Sequence, residues 1–336
     1  FTMEEALDKI KYGMKIQIRE GSAAKNFEAL IGLMDDYNDH VLFCSDDKHP
    51  DDLLKGHINE MVVRAISKGY DPVKVLRSVI LNPIKHYGLD VGTLQIGDPA
   101  DMIVVDNLED FNILKTYIDG ILVAENGVSN IDSVPEDHPN KFSAKPITSS
   151  QLHVKPDGDK LCVIEAYDGQ LITGFVTEDY KVIDGNVVSD VDNDILKLVV
   201  LNRYNDAEPA IAFIKNFNLK TGAIASSVAH DSHNIIAVGT SDEEITNAIN
   251  LIIKEEGGIS FVNGDDNKVI PLPVAGLMST CDGGQIAASY SLIDEAVHNA
   301  GSTLRAPYMT LSFMALLVIP QLKLSDKGLF DGNKFQ

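Results

Sequence analysis

Two adjacent aspartates that follow a short apolar run are the first residues in this sequence that could do chemistry. Residues 41–44 (Val-Leu-Phe-Cys) are apolar throughout, which is typical of a strand buried on both faces of a parallel sheet. Ser45, Asp46 and Asp47 follow directly, so the strand ends in paired carboxylates. Active sites of β/α barrels are built at this end of the strands. The alternative is that Asp46 and Asp47 only form a turn.

A second candidate lies far along the chain, where His230-Asp231-Ser232-His233 places two imidazoles and a carboxylate within four residues. Neutral imidazole together with carboxylate is suitable ligation for zinc, manganese or iron. His230 and His233 are therefore candidate metal ligands. Two histidines make only half of a metal site, so a loop braced by hydrogen bonds remains the alternative.

Arg19 and Glu20 end the strand predicted over residues 15–20, one strand away from the aspartates. Both are candidates for contact with a substrate. They could equally pair with each other as a structural ion pair. Ser22, beside them, is predicted to cap the helix that follows.

The elements that must position these side chains differ between the two ends of the chain. Residues 1–88 alternate helical and strand patterns, and the predicted elements are helices 3–12, 23–34, 58–68 and 72–80, with strands 15–20 and 41–44. Asn82-Pro83 is expected to end the last helix. Residues 89–145 predict a small β domain and a linker, with hairpin strands on either side of Asp119-Gly120.

Residues 146–336 predict a separate α+β domain. The expected strands are 160–166, 171–176, 181–188 and 195–201, followed by a helix over 208–217. Ser241 and Glu244 form a capping box for a helix that runs to Glu256, and residues 308–319 predict a buried helix.

The amino-acid composition limits the kinds of molecule that the protein is expected to bind. Of the 336 residues, 50 are acidic and 28 are basic, and the formal charge of -22 predicts no binding to nucleic acid polymers or to anionic membranes. Residues 308–319 are too short an apolar stretch to span a bilayer, which needs about 20 residues. The three cysteines, Cys44, Cys162 and Cys281, form no CxxC pair, and no signal peptide is apparent, which favours the cytoplasm.

Several segments together resemble the adenine deaminases of the metal-dependent amidohydrolase superfamily. The segments are REGSAAKN at 19–26, FCSDDKHP at 43–50, GTLQIGDPADMIVVD at 92–106, GAIASSVAHDSHN at 222–234 and LPVAGLMS at 272–279. The third is common to the superfamily, whereas the last two look like the extra carboxyl-terminal domain of adenine deaminases. The resemblance covers essentially the whole chain and favours upstream sequence before Phe1.

This resemblance implies a fold of mixed class, α/β and α+β. Residues 1–88 would be the tail of a TIM-type (β/α)8 barrel, residues 89–145 the small β domain and linker, and residues 146–336 the α+β domain. Asp46 would be the last ligand of a binuclear divalent metal centre, with manganese or iron expected and zinc an alternative.

The implied reaction is hydrolysis of adenine to hypoxanthine and ammonia, as in purine salvage and adenine catabolism. Asp46 would take the proton of the attacking water and return it to the leaving amine. Asp47, Arg19 and Glu20 would contact the purine. The resemblance also favours a cytoplasmic homo-oligomer.

Two other functions remain open. The chain could belong to an amidohydrolase that cuts a cyclic amide, or it could be a noncatalytic assembly or binding module. No His-x-His sequence occurs anywhere in it. We therefore expect the chain by itself to be inactive, and the longer parent protein to be active.

Overall fold

The computed structural model describes residues 2–22, 24–132, 134 and 137–336 and divides into two compact units, residues 1–135 and 136–336. The predicted domain boundaries near residues 88 and 145 stay predictions. Both units combine helices and sheets, so the mixed α/β character expected from the sequence is confirmed.

The first unit begins with alternating helices and strands. Its elements are α1 (Met3–Lys11), β1 (Ile16–Arg19), α2 (Phe27–Leu30), β2 (Val41–Cys44), α3 (Pro50–Lys55), α4 (Ile58–Ser67), α5 (Pro72–Val79) and α6 (Leu81–Tyr87). A 3-10 turn over Ile31–Met34 continues α2. β1 and β2 are parallel and in register from Ile16 opposite Val41 to Arg19 opposite Cys44.

A continuous apolar core holds these elements together. Ile18, Phe27, Val41 and Phe43 are buried in it, and the inner face of α4 contributes further apolar side chains. Burying each such side chain contributes roughly 1.5–3 kcal/mol. The core fixes β1 against β2 and thereby fixes where both strands end.

The predicted helix before Asn82-Pro83 does end there, with α5 stopping at Val79, but a further helix follows directly and contains Pro83. Pro83 lies inside the first turn of α6, where proline is tolerated because its missing N–H would have no helical partner. Neighbouring Asn82 is buried and donates from Nδ2 to the carbonyls of Asn38 and Val41. The Asn82-Pro83 pair therefore also lies in the first turn of a helix that the sequence did not predict.

A small antiparallel sheet completes the first unit. It contains β3 (Met102–Val105), β4 (Ile113–Ile118), β5 (Ile121–Glu125) and β6 (Val128–Ser129), in that spatial order. Asp119 and Gly120 both have positive φ and connect β4 to β5, which confirms the predicted hairpin.

The second unit is built on an eight-stranded sheet. The strands of this unit are β7 (Leu161–Glu165), β8 (Gly174–Glu178), β9 (Lys181–Ile183), β10 (Asn186–Val188), β11 (Leu196–Leu201), β12 (Ala210–Lys215), β13 (Ala223–Ser226), β14 (Ile235–Gly239), β15 (Gly258–Asn263), β16 (Asp266–Pro271), β17 (Leu322–Ser325) and β18 (Gly328–Asp331). The spatial order in the large sheet is β16-β15-β13-β14-β11-β12-β7-β8. Only the β12–β7 pair in this sheet is parallel.

Three helices accompany this sheet: α7 (Asp242–Lys254), α8 (Gly283–Asn299) and α9 (Pro307–Phe313). Ser241 caps α7 by accepting the N–H of Glu244 at 3.2 Å, as the capping box predicts. α9 is buried along its length, but it ends at Phe313 and not at Ile319.

The helix predicted over residues 208–217 was wrong, because that segment contains strand β12. The run Ala-Ile-Ala-Phe-Ile-Lys at 210–215 pairs with β11 on one side and β7 on the other. A short apolar run suits a buried strand or a buried helix equally, and the neighbouring strands decide between them. The strand predicted over residues 181–188 is also two strands, β9 and β10, joined at Asp184-Gly185.

No helix among the described residues combines the length and the apolar character needed to cross a membrane.

Candidate functional site

The ends of β1 and β2 bring together residues that are 27 positions apart in sequence. Arg19 Nη1 donates to Asp46 Oδ2 at 2.5 Å. Asp46 has a φ of 56°, and its Oδ1 accepts the backbone N–H of Asp47 at 2.9 Å. The Asp46 side chain remains 33% exposed. The carboxylate is thus held in one orientation at the strand end while part of it stays open to solvent.

Glu20, which directly follows β1, accepts hydrogen bonds from two other parts of the first unit. Its Oε2 accepts from Arg64 Nη1 at 2.9 Å and its Oε1 accepts the backbone N–H of Phe27 at 3.3 Å. The Arg64 guanidinium lies over the Phe27 ring, 4.2 Å from its centre. These contacts tie Glu20 to α4 and α2, whereas Arg19 is tied to Asp46.

The loops after β1 and β2 touch each other through backbone and side chain. The N–H of Ser22 donates to the Asp47 carbonyl at 2.9 Å. Ser22 Oγ accepts the N–H of His49 at 2.9 Å and donates to Asp52 Oδ2 at 2.7 Å. The predicted role of Ser22 as a helix cap is therefore wrong: its hydroxyl braces the two loops, and the N-cap of α2 is Asn26.

Gly21 allows these loops to come so close. A Cβ at position 21 would lie 3.0 Å from the Asp47 carbonyl oxygen and 3.3 Å from that of Ser45. Both contacts are with backbone atoms, which cannot turn aside as a flexible side chain can. The absence of a side chain at Gly21 thus sets the distance between the Asp46 loop and β1.

A histidine contacts the loop that carries Asp46. His57 Nε2 lies 2.9 Å from Ser45 Oγ. Burial lowers the pKa of His57, and the nearby Lys48 ammonium lowers it further. Lys48 is itself bonded to Glu60 and to the carbonyl of Gly56, both at 2.7 Å. No local pattern of residues indicates the contact between His57 and Ser45, which depends on where α4 begins.

The described residues do not by themselves form a metal centre. Among them, no three side chains of the kinds that bind metals (His, Cys, Asp, Glu) converge on one point. At the end of β2, Asp46 contributes one carboxylate, and Arg19 already donates to it.

In the second unit, the loop between β13 and β14 brings the two predicted histidines together. The rings of His230 and His233 lie 6.3 Å apart, and His230 stacks on Phe313 with ring centres 4.8 Å apart. His233 has a φ of 51°, and its Nδ1 is buried with no hydrogen-bond partner. Burial lowers the pKa of His233, as does His230, while the carbonyl of Val228 acts in the opposite direction. A third metal ligand does not join them among the described residues.

Comparisons with known proteins agree with this architecture. Residues 2–123, which include β1, β2 and the Asp46 loop, match the model of the amidohydrolase family. Residues 170–336 match the model of the adenine deaminase C-terminal domain. These matches define the class first: residues 2–123 are similar to the amidohydrolases, a family that generally uses a divalent metal.

Similarity over the whole chain then indicates which amidohydrolases this protein resembles. The chain is 51% identical over 337 residues to the adenine deaminase of Salinibacter ruber and 52% identical over 343 residues to that of Sulfurovum sp.. It is 49% identical over 351 residues to the adenine deaminase of Methanosarcina mazei. All of this chain is covered in these alignments, and it spans 62–63% of the length of each relative. Over its whole length the chain is therefore similar to adenine deaminases.

Proposed function

We propose that the protein containing this chain hydrolyses adenine to hypoxanthine and ammonia. Residues 1–88 would then form the tail of the (β/α)8 barrel, and residues 146–336 the separate α+β domain. The observation that carries the proposal is the carboxylate of Asp46, oriented by Arg19 and by the Asp47 N–H at the carboxyl end of a buried parallel strand. The adenine deaminase relatives supply the substrate.

Asp46 is the proposed proton carrier of this reaction. Its partly exposed carboxylate can accept a proton from the attacking water and return it to the departing amine, a contribution of roughly a hundredfold or more. Asp46 would hold a divalent metal in part, with manganese or iron preferred over zinc, and that metal would supply a Lewis acid that lowers the pKa of water. Arg19 holds the carboxylate in place for the transfer.

The other predicted site residues have proposed roles in binding the substrate or a metal. The Asp47 side chain is exposed beside Asp46 and is proposed to accept a hydrogen bond from a ring N–H of the purine. Arg19 and Glu20 are proposed to border the substrate, with Glu20 positioned by Arg64. The proposal that His230 and His233 bind a metal rests on the 6.3 Å between their rings.

Two other functions are tested by the same assay. Ammonia release is measured with adenine, and ring opening with dihydrouracil and hydantoin, each with Mn²⁺, Fe²⁺ or Zn²⁺ present. We expect the full-length protein to release ammonia from adenine and the 336-residue chain alone to release none. Opening of a cyclic amide in preference to adenine would identify a different amidohydrolase. Absence of turnover by the full-length protein would support a noncatalytic module.

The cellular setting is part of the proposal. We propose a cytoplasmic homo-oligomer that acts on free adenine in purine salvage and adenine catabolism, with no nucleic acid polymer or membrane as partner. The formal charge of -22 supports the absence of nucleic acid and membrane partners, because it repels their phosphate groups. Light scattering of the purified full-length protein measures the oligomeric state, and a monomer would contradict it.

A further inference from the structure

Arg203 is a buried cation with no counter-ion. It follows β11, is only 4% exposed, and its Nη2 donates to Tyr204 Oη at 3.0 Å. Its Nε and Nη1 are buried and have no hydrogen-bond partner. Among the described residues no carboxylate lies within ion-pair distance of it. Burying an unpaired charge costs several kcal/mol, although this protein carries 50 acidic residues that could have supplied a partner.

The surrounding backbone is shaped around this side chain. Arg203 donates its own N–H to Asn234 Oδ1 at 3.3 Å, and its carbonyl accepts the N–H groups of Ser143 and Ala144 at 2.7 and 3.1 Å. Gly276 has a φ of 68°, and a Cβ there would lie 1.9 Å from Arg203 Nη1. A side chain at position 276 would therefore displace the guanidinium from its place.

The buried Nδ1 of His233 is a second polar atom without a hydrogen-bond partner. Tyr204 Oη, which accepts from Arg203, donates to the carbonyl of Ser232 at 3.1 Å and so ties the guanidinium to the histidine loop. Arg203 is close enough to contribute to the lowered pKa of His233, after burial and His230. A further cation placed here would be repelled by Arg203, whereas an anion would be attracted.

As the rival to a metal at His230 and His233, we propose that Arg203 and His233 form a binding site for a small oxyanion group, either a phosphate or a carboxylate. An oxyanion would accept hydrogen bonds from the guanidinium, and from the His233 Nδ1 in the tautomer that carries its proton there. Asp231 is the nearest acidic side chain on this loop, but it is 77% exposed, so solvent screens its charge. The site lies wholly within the second unit and is separate from Asp46 in sequence and chemistry.

Binding is tested on the 336-residue chain with inorganic phosphate and with acetate, each titrated against chloride at constant ionic strength. Calorimetry gives the affinity, and the midpoint of thermal unfolding gives an independent readout, because a ligand that binds the native state raises it. We expect wild-type protein to bind at least one of the two anions. A preference for phosphate or for acetate distinguishes a tetrahedral from a planar ligand.

Variants separate a binding site from a structural brace. Arg203→Met should weaken anion binding at least tenfold and should leave the anion-free protein no less stable, because it removes an unpaired buried charge. His233→Gln should weaken binding several-fold with the fold intact, and it decides the question if Arg203→Met fails to fold. The matched control is Arg305→Met, in an exposed pair with Asp168, which should bind as wild type does.

Three outcomes would overturn the proposal. Wild-type protein could bind neither anion at about 10 mM, roughly ten times the concentration that half-saturates a site with a Kd of 1 mM. Arg203→Met could keep wild-type affinity. Mn²⁺ could raise the unfolding midpoint in wild type and not in His233→Gln, which would favour a metal site on this loop.

Discussion

At the scale of single residues, two hydrogen bonds fix the orientation of the Asp46 carboxylate. Arg19 and the Asp47 N–H each take one of its oxygens, so neither oxygen is free to rotate away from the strand end. Such fixed geometry suits proton transfer in the transition state, where misplacement of a catalytic group is costly. A simple turn-forming aspartate would need the backbone contact alone.

Asp46→Asn in the full-length protein should lower kcat for adenine at least about a hundredfold, because the amide keeps the shape but cannot carry the proton. Metal content should fall much less, since several ligands share the binding. Steady-state kinetics and metal analysis measure the two effects. The control is Asp39→Asn, whose exposed pair with Arg77 is remote from the chemistry. Near-normal turnover, or loss of activity through metal loss alone, would leave Asp46 as a ligand or turn former.

Lys323 provides a pH-dependent prediction at the same scale. Its side chain is fully buried, and Nζ donates to the carbonyls of Leu171 and Phe313 at 2.7 and 3.1 Å. Burial lowers the pKa of Lys323 from 10.5 to about 7. Between these values the unfolded chain binds the proton and the folded one does not, so stability rises with pH by up to about 1.4 kcal/mol per unit.

Replacing Lys323 should remove this pH dependence. The free energy of unfolding by urea at pH 7, 8 and 9 is compared between wild type and Lys323→Met, and the wild type should gain relative to the variant as pH rises. Lys254→Met, at a position 78% exposed, serves as control and should show no such change. A constant difference between wild type and Lys323→Met would show that the buried amine keeps an ordinary pKa.

At the scale of elements, α7 shows local signals and tertiary packing acting together. Ser241 caps its first turn, while Ile245, Ile249 and Ile252 on its inner face are fully buried against the sheet. Glu244 also links the cap to β13, because its Oε2 accepts the N–H of Gly222 at 3.1 Å. The helix is therefore specified at its start by sequence and along its length by packing.

Ser241→Ala should destabilise the second unit by about 1 kcal/mol, because the N–H of Glu244 loses its acceptor. Urea unfolding followed by circular dichroism measures the change. Ser291→Ala is the matched control: that hydroxyl lies inside α8 and donates to the Ala287 carbonyl, and alanine is the better helix former there. Equal effects of the two substitutions would argue against the cap.

At the scale of the whole molecule, the two units each have a core of their own. One core surrounds Phe27 and Phe43, and another packs α7 against β13 and β14. A unit that buries its own apolar face can fold by itself.

Residues 137–336, expressed alone, should therefore unfold cooperatively. The midpoint of this unfolding should equal that of one of the transitions observed for the 336-residue chain. Ile249→Ala should lower that midpoint, at a cost of roughly 2–5 kcal/mol, and should leave any transition of the first unit in place. Val62→Ala, in the core of the first unit, is the reciprocal control. A fragment without cooperative unfolding, or a single transition moved by both substitutions, would contradict independent folding.

The sequence by itself determined the features that depend on neighbouring residues. The apolar run of β2 and the polar residues after it placed Asp46 at a strand end, and Ser241 with Glu244 placed the start of α7. The hairpin at Asp119-Gly120 was likewise predictable, because positive φ is tolerated by few residue types. Such signals act over a few residues and need no distant partner.

Only the tertiary structure decided which distant residues meet. It made residues 210–215 a strand by placing β11 and β7 on either side, and it paired Arg19 with Asp46 in place of a turn contact alone. It also buried Arg203 beside His233, which no spacing in the sequence indicated. Burial and pairing depend on contacts between segments far apart in the chain, so the local pattern of residues leaves them undetermined.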